Sequence, residues 1–415
     1  MGEPVKRSVA EHQRTVLAAL EPLPARDVPI GGAGGAVLAA DVRSRTPIPL
    51  FDNSAMDGYA VRRADLIGAG PDHPVALPVI ADLPAGTGER PEIGPGTAAR
   101  IMTGAPMPPG ADAVVPVEET DAGTTTVTIT AEPAEAAHIR RAGDDLATGE
   151  LVLRAGTRLT ARHLAAAAGA GHGSLPVHPR PRVAVISTGT ELVDPGTEPA
   201  WGQIPDSNSY LLAQSVTEAG GAPVRIGAVP DDEAAFARLL AEVSPDVDAI
   251  VLSGGVSVGA FDVVKAVLAP LPSMWFGPLA MQPGKPQGFG RLADGTVVFA
   301  LPGNPVSVYV SFEVFVRPGL RRLAGDTAPL PRPVDAVAEV GWRSPPGREQ
   351  YMPVVIAQDG ADGGAGLLRV RPSARRGSGS HLVGGLAGAD GLARVAADVD
   401  EVSAGDRVAV LWGAS

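Results

Sequence analysis

Three short strings rich in glycine and hydroxyl groups follow apolar runs that read as buried strands. Ser187-Thr188-Gly189-Thr190-Glu191 follows RVAVI. Ser253-Gly254-Gly255-Val256-Ser257-Val258-Gly259 follows DAIVL, with Asp262 close behind. Pro302-Gly303-Asn304-Pro305 follows TVVFAL. Glycine lets backbone approach a ligand closely, and free N–H groups at a helix start bind anions. Any one of these loops reads equally well as a turn, but three at one sheet edge describe a pocket for a phosphorylated or otherwise anionic molecule. Glu191, Asp231, Asp232 and Asp262 lie in or beside the same edge. An Asp at a helix start is ordinarily a cap, which suits Asp231 and Asp232. One or two carboxylates together with ligand phosphates also hold Mg²⁺, which suits Asp231 and Asp262. Lys285, in the turn Gln282-Pro283-Gly284-Lys285-Pro286, is one of only three lysines, with Lys6 and Lys265. It reads either as a point charge for a phosphate or oxyanion or as a solvated side chain.

Further polar clusters lie nearer the amino terminus: FDNSAMDGYAVR (51–62) with Asp57, IMTGA (101–105) with Thr103, and IRRAGDD (139–145) with Arg140, Arg141 and Asp145. Each reads as a polar turn at a strand end, and the paired arginines also suit an oxyanion clamp. Several chemistries lack support. GGAGG has no Lys-Ser/Thr behind it, no Ser stands in a G-x-S-x-G elbow, and no G-x-G-x-x-G opens a helix ahead of an acidic residue. The absence of Cys excludes a disulfide scaffold, thiolate metal ligation and thiol catalysis, and fits a reducing cytoplasm. The 34 basic and 46 acidic residues leave a net charge of −12, which argues against broad nucleic-acid binding. No run approaches the roughly 18 apolar residues of a membrane span, and MGEPVKRSVAEHQ lacks the apolar stretch of a signal peptide.

The 415 residues suggest two to four domains at about 150 residues each. Residues 5–20 have helical apolar spacing. Residues 1–50 with 141–180 form an extended N-terminal domain, interrupted at 51–140 by a β domain of short strands between Pro and Gly. Residues 181–327 alternate strand and helix, the pattern of a mostly parallel sheet covered on both faces. Within them Asn208 or Ser209 is the expected cap of one helix, Asp294-Gly295 an expected hairpin turn, and PVSVYVSFEVFVRPGLRRLAG the closing helix. APLPRP (328–333) is a linker, and 334–415 is a β-barrel-like C-terminal domain. The fold class expected is multidomain α/β plus β.

FDNSAMDGYAVR, RIMTGAPMPPGADAVVPVE, IRRAGDD, VISTGTEL, LSGGVSVGAFD, QPGKPQGFG and LPGNPVSV occur in this order. Together they resemble the MoeA family of molybdopterin molybdenumtransferases, which includes the gephyrin E domain, from about residue 8 onward. The resemblance implies a cytoplasmic enzyme of molybdenum cofactor biosynthesis, with a central domain of the molybdopterin-binding type. It implies that molybdenum passes from molybdate into adenylylated molybdopterin with release of AMP. It also implies a homodimer whose site lies between the α/β domain of one subunit and the N-terminal β domains of the other. An adenylyltransferase that supplies the substrate is a possible contact. Carried onto matching positions, Asp57, Thr103, Asp145, Glu191 and Lys285 are the implied catalytic residues, and Asp231 and Asp262 the Mg²⁺ ligands. Pro302, Pro305, Arg348 and Ser378 are implied substrate contacts, to which the residue reading adds Arg140, Arg141, Ser187, Thr188, Gly189, Ser253, Gly254, Gly255, Gly303 and Asn304. Gln282 stands where many members carry Lys, which removes a charge from the anion site.

Joined to the residue reading, the resemblance gives a mechanism of positioning and electrostatics. The SGG and PGNP loops hold pterin and phosphate, Lys285, Arg140 and Arg141 attract molybdate, and Asp57 and Asp145 manage protons or orient water. Two alternatives stand beside it: a molybdopterin adenylyltransferase or CinA-like nucleotide-processing enzyme, and a non-enzymatic gephyrin-like scaffold. Residues 1–180 and 334–415 exceed what a lone α/β domain needs, and the acidic residues with Lys285 favour catalysis over scaffolding.

Overall fold

The computed structural model describes residues 6–256, 262–357, 368–374, 379–380 and 382–412. At its centre is a six-stranded sheet, in spatial order Ala222–Val229, Arg182–Thr188, Ala249–Ser253, Val297–Leu301, Pro286–Arg291, Trp275–Pro278. The first four strands are parallel; Pro286–Arg291 is added antiparallel through the hairpin at Asp294-Gly295, and Trp275–Pro278 pairs antiparallel with it. Alternation along each parallel strand divides the core. Val183, Val185, Val251 and Phe299 face one side, against Leu212 and Val216 of helix Asn208–Glu218 and Phe312 and Leu320 of the closing helix. Ala184, Ile186, Ile250, Leu252 and Val298 face the other, against Phe236 and Leu240 of helix Glu233–Val243 and Val264 and Leu268 of helix Val263–Leu268. Both faces are covered, which is why the strands read as continuous apolar runs.

Two details differ from the sequence reading. Helix Asn208–Glu218 is preceded by Ser207, whose side chain makes no capping bond. The free Ser209 N–H is met instead by Asp206 Oδ1 at 3.0 Å, so a carboxylate outside the helix takes the role expected of Asn208 or Ser209. The closing helix is continuous but not uniform: Pro305–Ser311 and Arg317–Leu323 are α-helical and Phe312–Val316 between them is a π segment. Pro318 has no N–H to offer the preceding turn. The Val314 carbonyl that it leaves free accepts Gln13 Nε2 at 3.1 Å, from the amino-terminal helix Val9–Ala18.

The chain leaves that helix for small antiparallel sheets, Arg26–Pro29 with Ser174–His178 and Val37–Leu38, and Val42–Arg43 with Leu151–Leu153, packed with helix Ala161–Gly169. Strands Asn53–Ser54 and Ile139–Arg140 pair antiparallel. The chain thus enters and leaves by neighbouring strands the five-stranded sheet Ala113–Pro116, Gly58–Val61, Ala98–Ile101, Val75–Leu83, Thr126–Ile129. Beyond residue 333, strands Glu349–Ala357, Leu368–Pro372, Val334–Ala338, Arg407–Trp412 and Gly391–Val395 close into a barrel through a final pairing of the first and last. Met281–Gln282 adds parallel to the barrel strand at Glu349–Gln350, tying the Lys285 turn to the barrel.

Candidate functional site

In an open parallel sheet, ligands bind beyond the carboxyl ends of the strands, where the strand order reverses. Here the order reverses between Arg182–Thr188 and Ala249–Ser253. A cleft of about 840 Å³ opens at that point. Its lining includes Thr188, Gly189, Glu191, Asp231, Ser253, Gly254, Gly255, Asp262, Lys285, Pro302, Gly303, Asn304 and Pro305. The three sequence-distant loops and the Lys285 turn therefore share one concavity. Strand Pro286–Arg291 runs antiparallel to its neighbour, so its start lies at the same edge as the ends of the parallel strands.

The backbone explains the SGG string. Gly254 has φ +98° and Gly255 φ +67°. A Cβ at Gly254 would lie 2.6 Å from the Thr188 carbonyl oxygen, and one at Gly255 2.7 Å from Val264 Cγ2. Both positions require the missing side chain, one for an approach between two loops and one for packing a helix beneath.

The carboxylates separate by partner. Asp232 is a cap: its Oδ1 accepts the Ala235 N–H at 2.6 Å. Asp231 caps nothing; its Oδ2 accepts the Thr190 N–H at 3.1 Å across the cleft rim. Asp262 stands at the start of helix Val263–Leu268 yet makes no side-chain capping bond, and its buried Oδ2 has no partner among the described residues. Lys285 is exposed on its turn. The turn is braced by Gln287, fully buried, whose Nε2 donates to the Gly284 carbonyl at 2.8 Å and to Ser311 Oγ at 2.6 Å. Arg348 Nη1 donates to Gln282 Oε1 at 2.8 Å. An ammonium at position 282 would repel that guanidinium, so the neutral side chain, which lines the cleft, keeps Arg348 bonded behind it; Arg348 itself is absent from the described lining.

Ser187 does not reach the cleft. It is fully buried, and its hydroxyl is spent on Asp206 Oδ1 and Ser253 Oγ, each at 3.1 Å. Ser187 is the last inward residue of its strand, so its side chain points into the core rather than out of the sheet edge. Ser378 lies outside the described residues. The sequence reading passed over Asp206 and Asn208, which line the cleft and are 1% and 8% exposed. Asn208 Nδ2 donates to the Gly303 carbonyl at 2.7 Å, joining two of the loops. The only signal was the polar string DSNS after a Gly/Pro-rich stretch, and it read as capping.

The amino-terminal candidates form a second cluster along the seam made by strands Asn53–Ser54 and Ile139–Arg140. Thr103 N–H donates to Asp57 Oδ1 at 2.7 Å. That bond, and then the Thr103 hydroxyl, hold the Asp57 carboxyl below the usual carboxylate range. Arg141 Nη1 is committed to Asp52 Oδ2 at 2.6 Å, while the backbone N–H of Asp145 donates to the Ile48 carbonyl at 2.9 Å. Asp57, Thr103, Arg140, Arg141 and Asp145 are absent from the described lining of the cleft of the same chain. Leu50 and Phe51, 60% and 45% exposed, stand on this seam.

Comparison with known proteins bears on both clusters. Residues 7–171 match the MoeA N-terminal region (domain I and II), 184–322 a probable molybdopterin binding domain, and 335–412 the MoeA C-terminal region (domain IV). The chain is 46% identical over 410 residues to molybdopterin molybdenumtransferase 2 of Mycobacterium tuberculosis, covering 97% of this chain and 99% of that one. It belongs to the molybdopterin molybdenumtransferase family. Molybdopterin molybdenumtransferase 1 of the same organism is 38% identical over 423 residues, 98% of this chain and 99% of that one. The structure of the molybdopterin biosynthesis MoeA protein of Pyrococcus horikoshii superposes with a TM-score of 0.82 at 30% identity, over 99% of this chain and 100% of that one. Membership in the transferase family makes the chain an enzyme of molybdenum cofactor biosynthesis. Among the described residues, no helix is long and apolar enough to cross a membrane.

Proposed function

We propose that the protein inserts molybdenum from molybdate into adenylylated molybdopterin and releases AMP. The observation that carries this reading is the cleft at the sheet's reversal point, where three glycine-bearing loops, Asp231, Asp262 and Lys285 converge. The glycines at 254 and 255 bare the backbone for a close-lying phosphate or pterin. Lys285 supplies a positive charge for the anhydride or for molybdate. Arg348, bonded to the cleft-lining Gln282, keeps a second positive charge behind it.

The donor set fits a divalent cation. Asp262 Oδ2 is a buried acceptor without a donor, Asp231 keeps an oxygen beyond its Thr190 bond, and both residues line one cleft. Asp231 and Asp262 would hold Mg²⁺ with substrate phosphates completing the shell. Among the described residues no group of three or more acidic or His side chains forms a metal cage, which fits an ion shared with substrate. Bound Mg²⁺ would neutralise phosphate charge. The chain's own residues bind, orient and screen: Glu191 faces the cleft from the first loop, and Asn208 at Gly303 with Ser380 at Asn304 fixes the Pro302–Pro305 loop beneath the substrate.

In this reading Asp57, Thr103, Arg140 and Asp145 act on the cleft of a second copy of the chain, in a homodimer. Their separation from their own chain's cleft supports it, as do the apolar residues left exposed beside them. Asp57, held ionised, serves as a hydrogen-bond acceptor or base for water exchanged at the molybdate. The cysteine-free sequence accords with a cytoplasmic setting, where an adenylyltransferase would supply the substrate. The test is to incubate the purified protein with adenylylated molybdopterin, Mg²⁺ and molybdate. Molybdate-dependent AMP release, with molybdenum appearing in the pterin, is expected. Consumption of ATP with free molybdopterin would replace this reading by an adenylyltransferase. Failure to bind the adenylylated pterin would replace it by a scaffold.

A further inference from the structure

A second cavity, of about 200 Å³, lies between the closing helix of the central domain and the last strand of the barrel. It shares no lining residue with the cleft. Arg317 and Arg321 enter it from one face of the helix, Arg332 from the linker, and Leu411 and Trp412 from the barrel strand. Three guanidiniums line it with one carboxylate, Glu313, which is spent on Arg317, accepting from Nε and Nη2 at 2.7 Å each. Glu218, from outside the lining, also approaches Arg317 Nη2 at 3.6 Å, so both nearby carboxylates serve Arg317 and the charges of Arg321 and Arg332 remain in excess. Arg317 is 4% exposed, and its Nη1 is a buried donor without an acceptor. Arg321 and Arg332 make no side-chain hydrogen bond or ion pair among the described residues, whereas the neighbouring Arg322 bonds to the Leu20 carbonyl and approaches Glu21. Burial first, and then the charge of Arg317, push the Arg321 guanidinium pKa below its ordinary value.

Like charges gathered around a half-closed cavity repel one another, and a buried N–H without an acceptor is costly. One bound anion relieves both. We propose that this cavity is a second anion site, taking a phosphate or carboxylate group between Arg317, Arg321 and Arg332, with Leu411 and Trp412 as the wall for a flat apolar body attached to it. Guanidinium planes suit forked contacts to such oxyanions. Trp412, 47% exposed, presents an indole at the end of the barrel strand. The cleft is lined by the start of the closing helix and this site by its later turns, with no residue shared, so the site is independent of that reading.

The full chain is titrated calorimetrically at low salt with inorganic phosphate and with phenyl phosphate. Both are expected to bind, phenyl phosphate the tighter. Arg332→Ala and Arg321→Gln should each weaken binding about tenfold, the loss of one charge-assisted hydrogen bond. Arg332 is exposed, so its truncation leaves the fold intact, which the unchanged melting temperature verifies. Lys285→Ala should leave this binding unchanged. Binding that is lost in Lys285→Ala and kept in Arg332→Ala would place the anion in the cleft and overturn the proposal, as would no binding to the wild-type chain. Equal affinity for the two probes would overturn the aromatic wall.

Discussion

Asp57 shows how a single backbone contact sets the chemistry a residue can perform. The Thr103 N–H stabilises its charged form, so its pKa lies below the ordinary value and the carboxylate stays ionised well into acid. The stabilisation from that bond is present above the unfolded pKa and is lost only as pH falls through the lowered folded value. At neutral pH Asp57 therefore accepts a proton or a hydrogen bond and does not donate one. Asp57→Asn keeps the shape and removes the charge. Molybdate-dependent AMP release should fall about 100-fold or more while the melting temperature holds, since a positioned acid or base contributes 10²–10⁴. Unchanged release would remove Asp57 from the chemistry. His12 shifts stability in the same direction with pH, but from burial and over a higher window. Burial among Trp275, Phe289 and Phe315, and secondarily the Arg7 charge, lower its pKa from 6.5 to about 3. Below pH 6.5 the unfolded chain takes up a proton that the folded chain refuses, so stability declines as pH falls from there toward 3. His12→Phe should flatten that limb. Urea unfolding of both chains at pH 7 and pH 5 measures it, and equal pH dependence in the two would clear His12 of the effect.

At the scale of elements, the loops that build the cleft are held by what they lack. Gly254→Ala places a methyl group against the Thr188 carbonyl at a φ that L side chains rarely adopt. About 1–3 kcal/mol of destabilisation is expected, read by urea unfolding, together with weakened substrate binding. Wild-type stability in this variant would mean that the two loops can separate freely. The same loops mark what a sequence discloses and what it hides. RVAVIST, DAIVLS and TVVFAL announce buried strands because both of their faces are apolar, and the glycines and carboxylates at their ends announce a ligand edge. The β character of the C-terminal domain was also legible, and its closure rests on the pairing of Glu349–Ala357 with Gly391–Val395. Asp231 and Asp232 could not be told apart, because a cap and a cleft ligand are the same residue type at adjacent positions. Only geometry shows that one meets Ala235 and the other Thr190. The roles of Gln287, Asp206 and Asn208 at the cleft, the last read only as a helix cap, were hidden because their partners, Ser311, Ser187 and Gly303, are 19 to 95 residues away in sequence. The π segment was hidden for a related reason: the segment read as one helix, and the donor that meets the carbonyl freed by Pro318 is Gln13, 301 residues away.

For the whole molecule, the two clusters of candidate residues lead to a test of assembly. If the Asp57 seam serves the cleft of a second copy, Asp57→Asn and Lys285→Ala chains should each be inactive alone and should complement when refolded together. Half of the randomly reassembled dimers would be mixed and each would carry one intact site, restoring about a quarter of wild-type activity. No recovery, from chains shown to mix, would place each site within a single chain. The amino-terminal helix also has a bearing on how the protein is made. Val16 and Leu20 bury against Val183, Phe299 and Leu320, none of which exists when residues 9–18 leave the ribosome. At about 5–20 residues per second, the roughly 300 residues to Val314 take on the order of 15–60 s to synthesise. A ten-residue helix is marginal by itself in water, so through that interval the segment is an unpartnered apolar ribbon on the nascent chain. The central domain closes only after nearly four-fifths of the polypeptide has emerged, and a ribosome stalled before residue 320 would hold a product whose first segment has nowhere to dock.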